Sequence, residues 1–303
     1  MHQPHGTLRC GRFSFSLSHP IVMAILNITP DSFSDGGRFA TRDAALRRAE
    51  VIVKEGAQII DIGGESTRPG APALSLGEEL DRVMPIIEAL HGSGIALSVD
   101  TYKPEVMRAA LAAGADMIND IRGFSEDGAL EVVAKSDCAV CAMHMRGDPR
   151  TMQEAPEYKD VVTEVREYLD RRVIALESAG VSRERIVVDP GFGFGKSVEH
   201  NYRLLRELPM TSPGGLPILV GMSRKSMLGA VLPAQTTGAH EHGAPSDERS
   251  DVASRRLIAS VSAAVCAAER GAAIIRVHDV AATLEALAVW RAMSDVAEDD
   301  AAE

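Results

Sequence analysis

The sequence predicts a single (β/α)8 TIM barrel that follows a short N-terminal hairpin or strand segment. Eight short apolar runs, rich in β-branched residues, alternate with amphipathic helical patterns along the 303 residues. Such nearly continuous apolar runs are typical of parallel strands that are buried on both faces. Polar residues collect where the runs end, and in a barrel all these ends meet at one mouth. A doubly wound open sheet is the main alternative, but it usually has fewer strands and gathers its polar strand ends in one crevice.

The elements follow one another in a regular order. The predicted strands occupy residues 21–26, 58–62, 96–99, 116–119, 139–143, 186–188, 217–220 and 273–277. Ser75 and Glu78 have the spacing of a capping box, and Pro104 suits the first turn of a helix. Gly56 follows a helical pattern, where a left-handed residue commonly ends a helix. These signals divide the chain into successive strand and helix pairs.

We predict three segments. Residues 1–20 form the N-terminal segment, with a hairpin or loose strand over 7–17, and residues 21–293 form the barrel. Residues 294–303 are predicted to be an acidic, disordered tail, because five carboxylates lie between Asp295 and Glu303. The loop over 233–251, between the last two strands, is longer than the barrel needs and is rich in Gly, Ala, Ser, His and charge.

The composition excludes several classes of function. A net charge of −11 without a basic stretch argues against a nucleic-acid partner. The sequence has no apolar run long enough for a membrane span, and its first residues lack the regions of a signal peptide. Only four cysteines occur, so we expect a reducing cytoplasm and no disulfide framework.

The candidate site residues lie at the strand ends and are of two chemical kinds. Asp100, Asn119 and Asp189 are carboxylates and an amide, which suit a flat heterocycle with amino and ring N–H donors. Asp120 is expected to point away from Asn119 and to orient a neighbour or cap a helix. The second kind has guanidinium, imidazole and small polar groups that suit an oxyanion such as phosphate; it comprises Asn27, Thr67, Arg68, Arg276 and His278.

Two motifs with familiar spacings receive simpler interpretations. Residues 191–197 end like a Walker A loop, but Pro190 occupies the place of its first glycine, so we expect a flexible loop. Cys138 and Cys141 have redox or zinc spacing, yet they enter a strand and have no second ligand pair. Ordinary core cysteines are the favoured interpretation.

The strand-end segments resemble the dihydropteroate synthase family of pterin-binding enzymes over about residues 21–290. The motifs are long and specific, and they cover residues 27–37, 63–70, 98–101, 118–120, 189–194, 223–226 and 276–279. The resemblance implies a (β/α)8 barrel that condenses a dihydropterin methyl pyrophosphate with 4-aminobenzoate, giving 7,8-dihydropteroate and pyrophosphate. It also implies Mg²⁺, a dissociative mechanism and a homodimer formed through late helices.

The resemblance assigns roles to residues of this sequence. It implies that Asp100, Asn119, Asp189 and Lys225 hold the pterin. The pyrophosphate and its Mg²⁺ are implied to lie against Asn27, Thr67, Arg68, Arg276 and His278, with Asn27 as the metal ligand. Phe33, Pro69, Lys225 and Ser226 are implied to line the aminobenzoate pocket. Further substrate contacts are expected at Met143, Phe194 and Gly221.

The loop over 29–38 carries one large apolar residue, Phe33, between small polar residues and glycines. An exposed Phe in such a loop is unfavourable unless it finds a pocket. We therefore hypothesise that this loop is mobile in the unliganded protein and closes over bound pyrophosphate and Mg²⁺. Phe33 would then contact the aminobenzoate ring, and Asp35 would act as a further catalytic residue by helping to fix the closed form.

Two other functions remain alternatives at this stage. A pterin-binding methyltransferase would use the same pterin residues but would pass a methyl group to a corrinoid, and it has no need of residues 223–226 beside an anion site. A catalytically silent paralogue would bind both substrates without releasing pyrophosphate. The presence of Asn27, Arg68, Lys225 and His278 argues against the silent paralogue.

Overall fold

The computed structural model describes residues 6–28, 38–65, 74–147, 152, 156–233 and 248–299. The strands are β1 Thr7–Cys10, β2 Phe13–Ser16, β3 Ile21–Asn27, β4 Ile59–Gly63, β5 Ala96–Asp100, β6 Met117–Asp120, β7 Ala139–Met143, β8 Ile186–Asp189, β9 Leu219–Val220 and β10 Ile274–Val277. The helices are α1 Arg38–Glu55, α2 Leu76–Leu90, α3 Pro104–Ala112, α4 Ala129–Ala134, α5 Val161–Ser178, α6 Val198–Arg206, α7 Ser226–Gly229, α8 Glu248–Glu269 and α9 Val280–Asp299.

Eight of these strands form one parallel sheet in the order β8-β7-β6-β5-β4-β3-β10-β9. The two edges meet where Val188 of β8 forms a parallel bridge with Ile218, just before β9. The Val188 N–H also donates to the Pro217 carbonyl at 3.0 Å. The sheet therefore closes into the predicted (β/α)8 barrel, and the open doubly wound sheet is excluded.

The strand residues alternate between two apolar cores. Outward-facing residues such as Ile60, Val99 and Ile118 pack with the helices in the larger core. Inward-facing residues near the strand starts form a separate core inside the barrel, comprising Ile21, Met23, Ile59, Ala96, Met117, Ala139, Cys141, Val187, Leu219 and Ile274. Polar groups facing inward are thereby left to the carboxyl ends of the strands.

Strands β1 and β2 form an antiparallel hairpin that covers the strand-start end of the barrel. This confirms the hairpin among the two forms predicted for residues 7–17. Leu8, Cys10 and Leu17 pack into the inner apolar core. The Arg12 guanidinium donates to both carboxylate oxygens of Asp116, at 2.9 and 2.8 Å. The second of these oxygens also accepts the Leu97 N–H, so Asp116 connects the hairpin to the barrel wall.

Local sequence signals explain most helix starts, and two predicted boundaries are corrected. Ser75 and Glu78 form the capping box at the start of α2, and Pro104 is the first residue of α3. Helix α9 runs to Asp299, so the predicted disordered tail is wrong for residues 294–299, whose start is anchored by buried Ser294. Helix α8 begins at Glu248, inside the predicted long loop, while residues 234–247 and 300–303 lie outside the described residues.

Within the described part of the chain, no helix has the length and apolarity to cross a membrane.

Candidate active site

The inward-facing residues change from apolar to polar near the carboxyl ends of five strands. Asp61, Asp100, Asn119, Asp189 and Arg276 all occupy alternate positions that face the barrel interior, two residues beyond the inner apolar core or, for Asp100, four. Asp61 is fully buried, and Asn119 and Asp189 are also buried. The alternation of a β-strand therefore gathers these groups in one pocket at the mouth.

Arg276 is the centre of the pocket. Its Nε donates to Asp61 Oδ2 at 2.6 Å, and its Nη2 donates to Asp100 Oδ2 at 2.8 Å. Asp61 also accepts the Ser98 hydroxyl at 2.6 Å and the Asn119 amide at 3.1 Å. One guanidinium thus pairs with two carboxylates, and a single carboxylate orients three neighbouring side chains.

The charges in this cluster shift the pKa values of its members. Burial raises the pKa of Asp100 to about 7, against the attraction of Arg276, and the nearby Asp61 carboxylate adds to the rise. The pKa of Arg276 is raised, because Asp61 and Asp100 outweigh the effect of its burial. Two carboxylates share one guanidinium, so the pocket favours an incoming ligand that brings hydrogen-bond donors.

Asn119 and Asp189 offer acceptors to such a ligand. The Asn119 amide nitrogen is committed to Asp61, and within the described residues its buried Oδ1 has no hydrogen-bond partner. Asp189 accepts the Gly191 N–H through Oδ1 at 2.7 Å, and burial raises its pKa while Lys225 lowers it. A buried acceptor without a partner is unfavourable, so Asn119 Oδ1 indicates where a ring N–H or amino group would bind.

Lys225 approaches the pocket from the loop between β9 and α7. Its Nζ donates to the Phe192 carbonyl and lies 4.5 Å from the centre of the Phe194 ring. Burial lowers the pKa of Lys225 to about 8, against the attraction of Asp189. Phe194 packs with Met143, Ile121 and Met152 in a small apolar cluster. The pocket therefore combines an ammonium group, an aromatic ring and an apolar wall.

The residues predicted to bind an oxyanion approach from β10 and the neighbouring loops. The His278 ring nitrogen Nδ1 lies 3.0 Å from Ser223 Oγ, and the His278 carbonyl accepts the Arg48 guanidinium at 3.0 Å. Gly221 lies beside the aliphatic stem of Arg276, since a Cβ on this glycine would be 3.8 Å from Arg276 Cβ. Ser226 is exposed at the start of α7. Arg276 contacts Asp100, so the two kinds of predicted site residue form one connected cluster.

The carboxyl end of β3 provides the predicted metal ligand. Asn27 pairs in parallel register with Gly63, which in turn pairs with Asp100. A Cβ on Gly63 would lie 3.3 Å from Asn27 Oδ1 and 3.7 Å from Asp100 Cβ, so the glycine preserves space between them. Mg²⁺ prefers a few protein oxygens together with water and substrate phosphate oxygens. The Asn27 amide oxygen fits such a site, although the described residues contain no cluster of three His, Cys, Asp or Glu ligands.

Five predicted site residues lie outside the described residues, namely Phe33, Asp35, Thr67, Arg68 and Pro69. The hypothesis that the loop over 29–38 moves therefore stays a prediction.

The structure also reports on several smaller predictions. Asp120 points away from Asn119 and accepts the N–H groups of Arg122 and Phe124, both at 2.7 Å, as expected for an orienting residue. Cys138 and Cys141 are buried core thiols, as predicted. Residues 191–197 form the predicted loop after β8, but the flexibility predicted for this loop is wrong. Its backbone is folded tightly against His144, because glycines allow close contact and buried Lys196 bonds to its carbonyls.

Asp61 is a central residue of the site to which the sequence assigned no role. It lies between Ile60 and Ile62 in a strand that is otherwise apolar. The signal was a carboxylate inside a buried strand, since a charge in such a place requires partners. Its bond to Arg276 joins strands that are not neighbours in the sheet, so neither motif nor spacing could identify the partner.

Comparison with known proteins places the same features in a family. Residues 23–278 match the model of the pterin binding enzyme family. Dihydropteroate synthase of Escherichia coli strain K12 is 50% identical over 280 residues, covering 92% of this chain and 93% of that protein. The Burkholderia cenocepacia dihydropteroate synthase complexed with 7,8-dihydropteroate has a TM-score of 0.83 and 54% identity, over 97% of this chain and 98% of its own. The Xanthomonas albilineans enzyme with 4-aminobenzoic acid has a TM-score of 0.84 and 46% identity, over 97% of this chain and 99% of its own. The chain therefore belongs to the pterin-binding enzyme family and, within it, to the dihydropteroate synthases.

Proposed function

We propose that the chain condenses 6-hydroxymethyl-7,8-dihydropterin pyrophosphate with 4-aminobenzoate to give 7,8-dihydropteroate and pyrophosphate in folate biosynthesis. The observation that carries this proposal is the hydrogen-bonded cluster of Asp61, Asp100, Asn119 and Arg276, with a buried and unpartnered amide oxygen on Asn119. The ligands that the Burkholderia and Xanthomonas enzymes hold, 7,8-dihydropteroate and 4-aminobenzoic acid, support the same substrates here.

The pterin ring would bind against Asp100, Asn119 and Asp189. Its amino and ring N–H groups are donors, and the two carboxylates and the Asn119 oxygen are acceptors. The same carboxylates would stabilise the positive charge that develops on the pterin when the bond to pyrophosphate breaks. Met143 and Phe194 supply apolar surface, since both lie in the small cluster at the mouth.

The leaving pyrophosphate would face Arg276 and His278, with Thr67 and Arg68 added on the evidence of the sequence. Negative charge grows on the pyrophosphate as the C–O bond breaks, and guanidinium and imidazole groups stabilise that charge. Mg²⁺, when held by Asn27 and the substrate oxygens, would supply further stabilisation of the same charge. In this dissociative mechanism the amine nitrogen of 4-aminobenzoate then bonds to the pterin methylene carbon and loses a proton.

The aminobenzoate would occupy the outer part of the mouth. Lys225 and Ser226 flank it at the start of α7, and Gly221 leaves room beside the Arg276 stem. Phe33, Asp35 and Pro69 join this pocket on the sequence resemblance alone. The proposed substrate residues would thus divide between an inner pterin pocket and an outer aminobenzoate pocket, with Lys225 in both.

A homodimer is part of the same proposal. Helices α8 and α9 expose the large apolar residues Ile258, Val289, Met293 and Val296, which are 55–74% exposed. Beside them, a groove of about 490 Å³ is lined by Tyr202, Leu205, Val265, Trp290 and other residues of α6, α8 and α9. Exposed apolar surface of this kind commonly marks an interface. Light scattering should give twice the mass of the 32.3 kDa chain, and a monomer would refute the assembly.

We also propose a cytoplasmic location. The pathway uses small soluble metabolites, and the four cysteines, Cys10, Cys138, Cys141 and Cys266, are all free thiols. Free thiols are typical of reducing compartments.

The experiment that tests the activity is an assay of pyrophosphate release. Purified protein should release pyrophosphate when the pterin pyrophosphate, 4-aminobenzoate and Mg²⁺ are all present, and release should fall when EDTA removes the metal. Formation of 7,8-dihydropteroate should match it in a one-to-one ratio. Binding of both substrates without turnover would favour the silent paralogue. Transfer of a methyl group from a methylated pterin would favour the methyltransferase.

A further inference from the structure

A buried amine close to the proposed site has no role in the mechanism described above. Lys196 is only 2% exposed and lies between β8 and α6. Its Nζ lies 2.9 Å from the Gly191 carbonyl oxygen, 3.0 Å from the Phe194 carbonyl oxygen and 3.0 Å from His144 Nδ1. An ammonium group has three N–H donors, so each donor meets one acceptor. A buried amine whose contacts are all satisfied fixes its partners.

The imidazole accepts from this ammonium group. Burial and the nearby Lys196 lower the pKa of His144 to about 2, so the ring is neutral and Nδ1 carries the lone pair. Burial also lowers the pKa of Lys196 to about 7, while Asp189 acts in the opposite direction. His144 is held in turn, since its N–H donates to the Asp189 carbonyl at 2.9 Å and its ring packs edge-on against Tyr168.

The segment that Lys196 holds is a tight turn over residues 191–194. Gly191 has a φ of +69°, and a Cβ on it would lie 1.9 Å from the His144 carbonyl oxygen, so only glycine fits. The Phe194 N–H donates to the Gly191 carbonyl at 3.1 Å, and the Gly193 N–H donates to Asn201 at 2.7 Å. Lys196 bonds to the carbonyls at both ends of this turn.

The same turn provides three contacts to the proposed site. The Phe192 carbonyl accepts from Lys225, the Phe194 ring lies 4.5 Å from the same ammonium group, and the Gly191 N–H donates to Asp189 at 2.7 Å. A change in the shape of the turn would therefore displace Lys225 and Asp189 together. Displacements of about 1 Å at a reacting site reduce rates by up to about 100-fold.

We propose that Lys196 is a positioning residue for the condensation, which fixes the turn over 191–194 in the shape that supports Lys225 and Asp189. The proposal rests on the proposed function, because Lys225 and Asp189 are the groups through which Lys196 would act. It predicts that Lys196 affects the pterin side of the site and leaves the oxyanion side, at Arg276 and His278, unchanged.

The test compares Lys196→Met, which keeps most of the unbranched side chain and removes its donors, with the matched control Lys135→Met. The side chain of Lys135 is 72% exposed and pairs with Glu131 on the surface, and it has no role in the proposed site. We expect Lys196→Met to lower kcat/KM by about 10- to 100-fold and to weaken 7,8-dihydropteroate binding about tenfold, as a displaced site would. The inhibition constant of inorganic pyrophosphate should stay within about twofold. Lys135→Met should match the wild type in all three measurements.

A double-mutant cycle shows whether Lys196 acts through Lys225. Dissociation constants of 7,8-dihydropteroate are measured by calorimetry for Lys196→Met, Lys225→Met and the double variant. If Lys196 acts through Lys225 and Asp189, Lys196→Met should weaken binding less in the Lys225→Met background than in the wild type, because only the contribution through Asp189 remains. Additive losses would overturn the proposal, as would equal losses for pyrophosphate and dihydropteroate.

Folding is controlled with a second variant. Lys196→Gln keeps amide donors for the two carbonyls but removes the charge, and circular dichroism and thermal unfolding are recorded for every variant. If Lys196→Met does not fold, kcat/KM, 7,8-dihydropteroate binding and pyrophosphate inhibition are measured on Lys196→Gln, and the same criteria apply. If neither variant folds, the proposal is overturned in favour of a purely stabilising role for Lys196. A wild-type protein that releases no pyrophosphate would refute the proposed function, whereas an active wild type with a normal Lys196→Met variant would refute this inference alone.

Discussion

The guanidinium of Arg276 lies 2.6 Å from the carboxylate of Asp61, although β10 and β4 are separated by β3 in the sheet. The curvature of the barrel brings these inward-facing side chains together across the interior. Asp61 has no accessible surface and also binds Ser98 and Asn119. It therefore orients the groups that the substrates would contact without being placed to contact them itself.

Replacement of Asp61 by Asn should reduce the free energy of unfolding by about 3 kcal/mol. The substitution leaves a buried guanidinium with one carboxylate in place of two, and breaking a buried pair has a cost of this order. Urea unfolding followed by circular dichroism measures the change. Ser98→Ala is the matched control, because it removes one neutral donor to Asp61 and should cost only about 1 kcal/mol. Similar losses for both variants would mean that the charge of Asp61 is unimportant.

Asp189→Asn should weaken pterin binding by about 1.5–3 kcal/mol, the range for a hydrogen bond to a charged group. The substitution keeps the shape of the side chain but removes the charge and one acceptor. Calorimetry with an unphosphorylated pterin measures the change directly. An unchanged affinity in a folded variant would exclude Asp189 from the pterin pocket.

Arg276→Ala should weaken the binding of both pyrophosphate and an unphosphorylated pterin. Pyrophosphate loses a guanidinium partner, and the pterin pocket loses the cation that pairs with Asp61 and Asp100. We expect a loss of at least about 1.5 kcal/mol for each ligand. His278→Gln is the comparison, since it should affect pyrophosphate and leave the pterin unchanged. A variant of Arg276 with normal pterin affinity would show that its ion pairs do not organise the pterin pocket.

The activity should decline at alkaline pH because of Lys225. Burial lowers the pKa of this lysine to about 8, so its ammonium group loses a proton as the pH rises through that value. Deprotonation removes the positive charge of this donor to the Phe192 carbonyl, and kcat/KM should fall by about tenfold per pH unit above the pKa. Lys225→Arg remains charged at these pH values, so its alkaline limb should disappear from the accessible range. Persistence of a limb near pH 8 in that variant would assign the limb to another group.

The sequence predicted the parts of the structure that depend on local pattern. Apolar runs that end in polar residues identified the barrel strands to within one or two residues, since a parallel strand is buried on both faces. Strand alternation also separated Asn119, which faces inward, from Asp120, which faces outward. Both features follow from the position of a residue within its own strand.

The parts that were missed depend on contacts between distant segments. The roles of Asp61 and Lys196 appear only when the barrel closes, because their partners come from other strands and loops. The sequence predicts a flexible loop over 191–197, a segment that contains three glycines. Its glycines instead permit close packing against His144, a contact that no local pattern of residues encodes.

The N-terminal hairpin bears on the order in which ligands can enter and leave. In the part of the chain that the structure describes, β1 and β2 cover the strand-start end, and Leu8, Cys10 and Leu17 fill it with apolar side chains. Every ligand must then pass through the same mouth, and the pterin, at Asp100 and Asn119, would lie deepest. A pterin that arrives after the aminobenzoate would find its way blocked. We therefore expect sequential kinetics in which the pterin pyrophosphate binds before the arylamine.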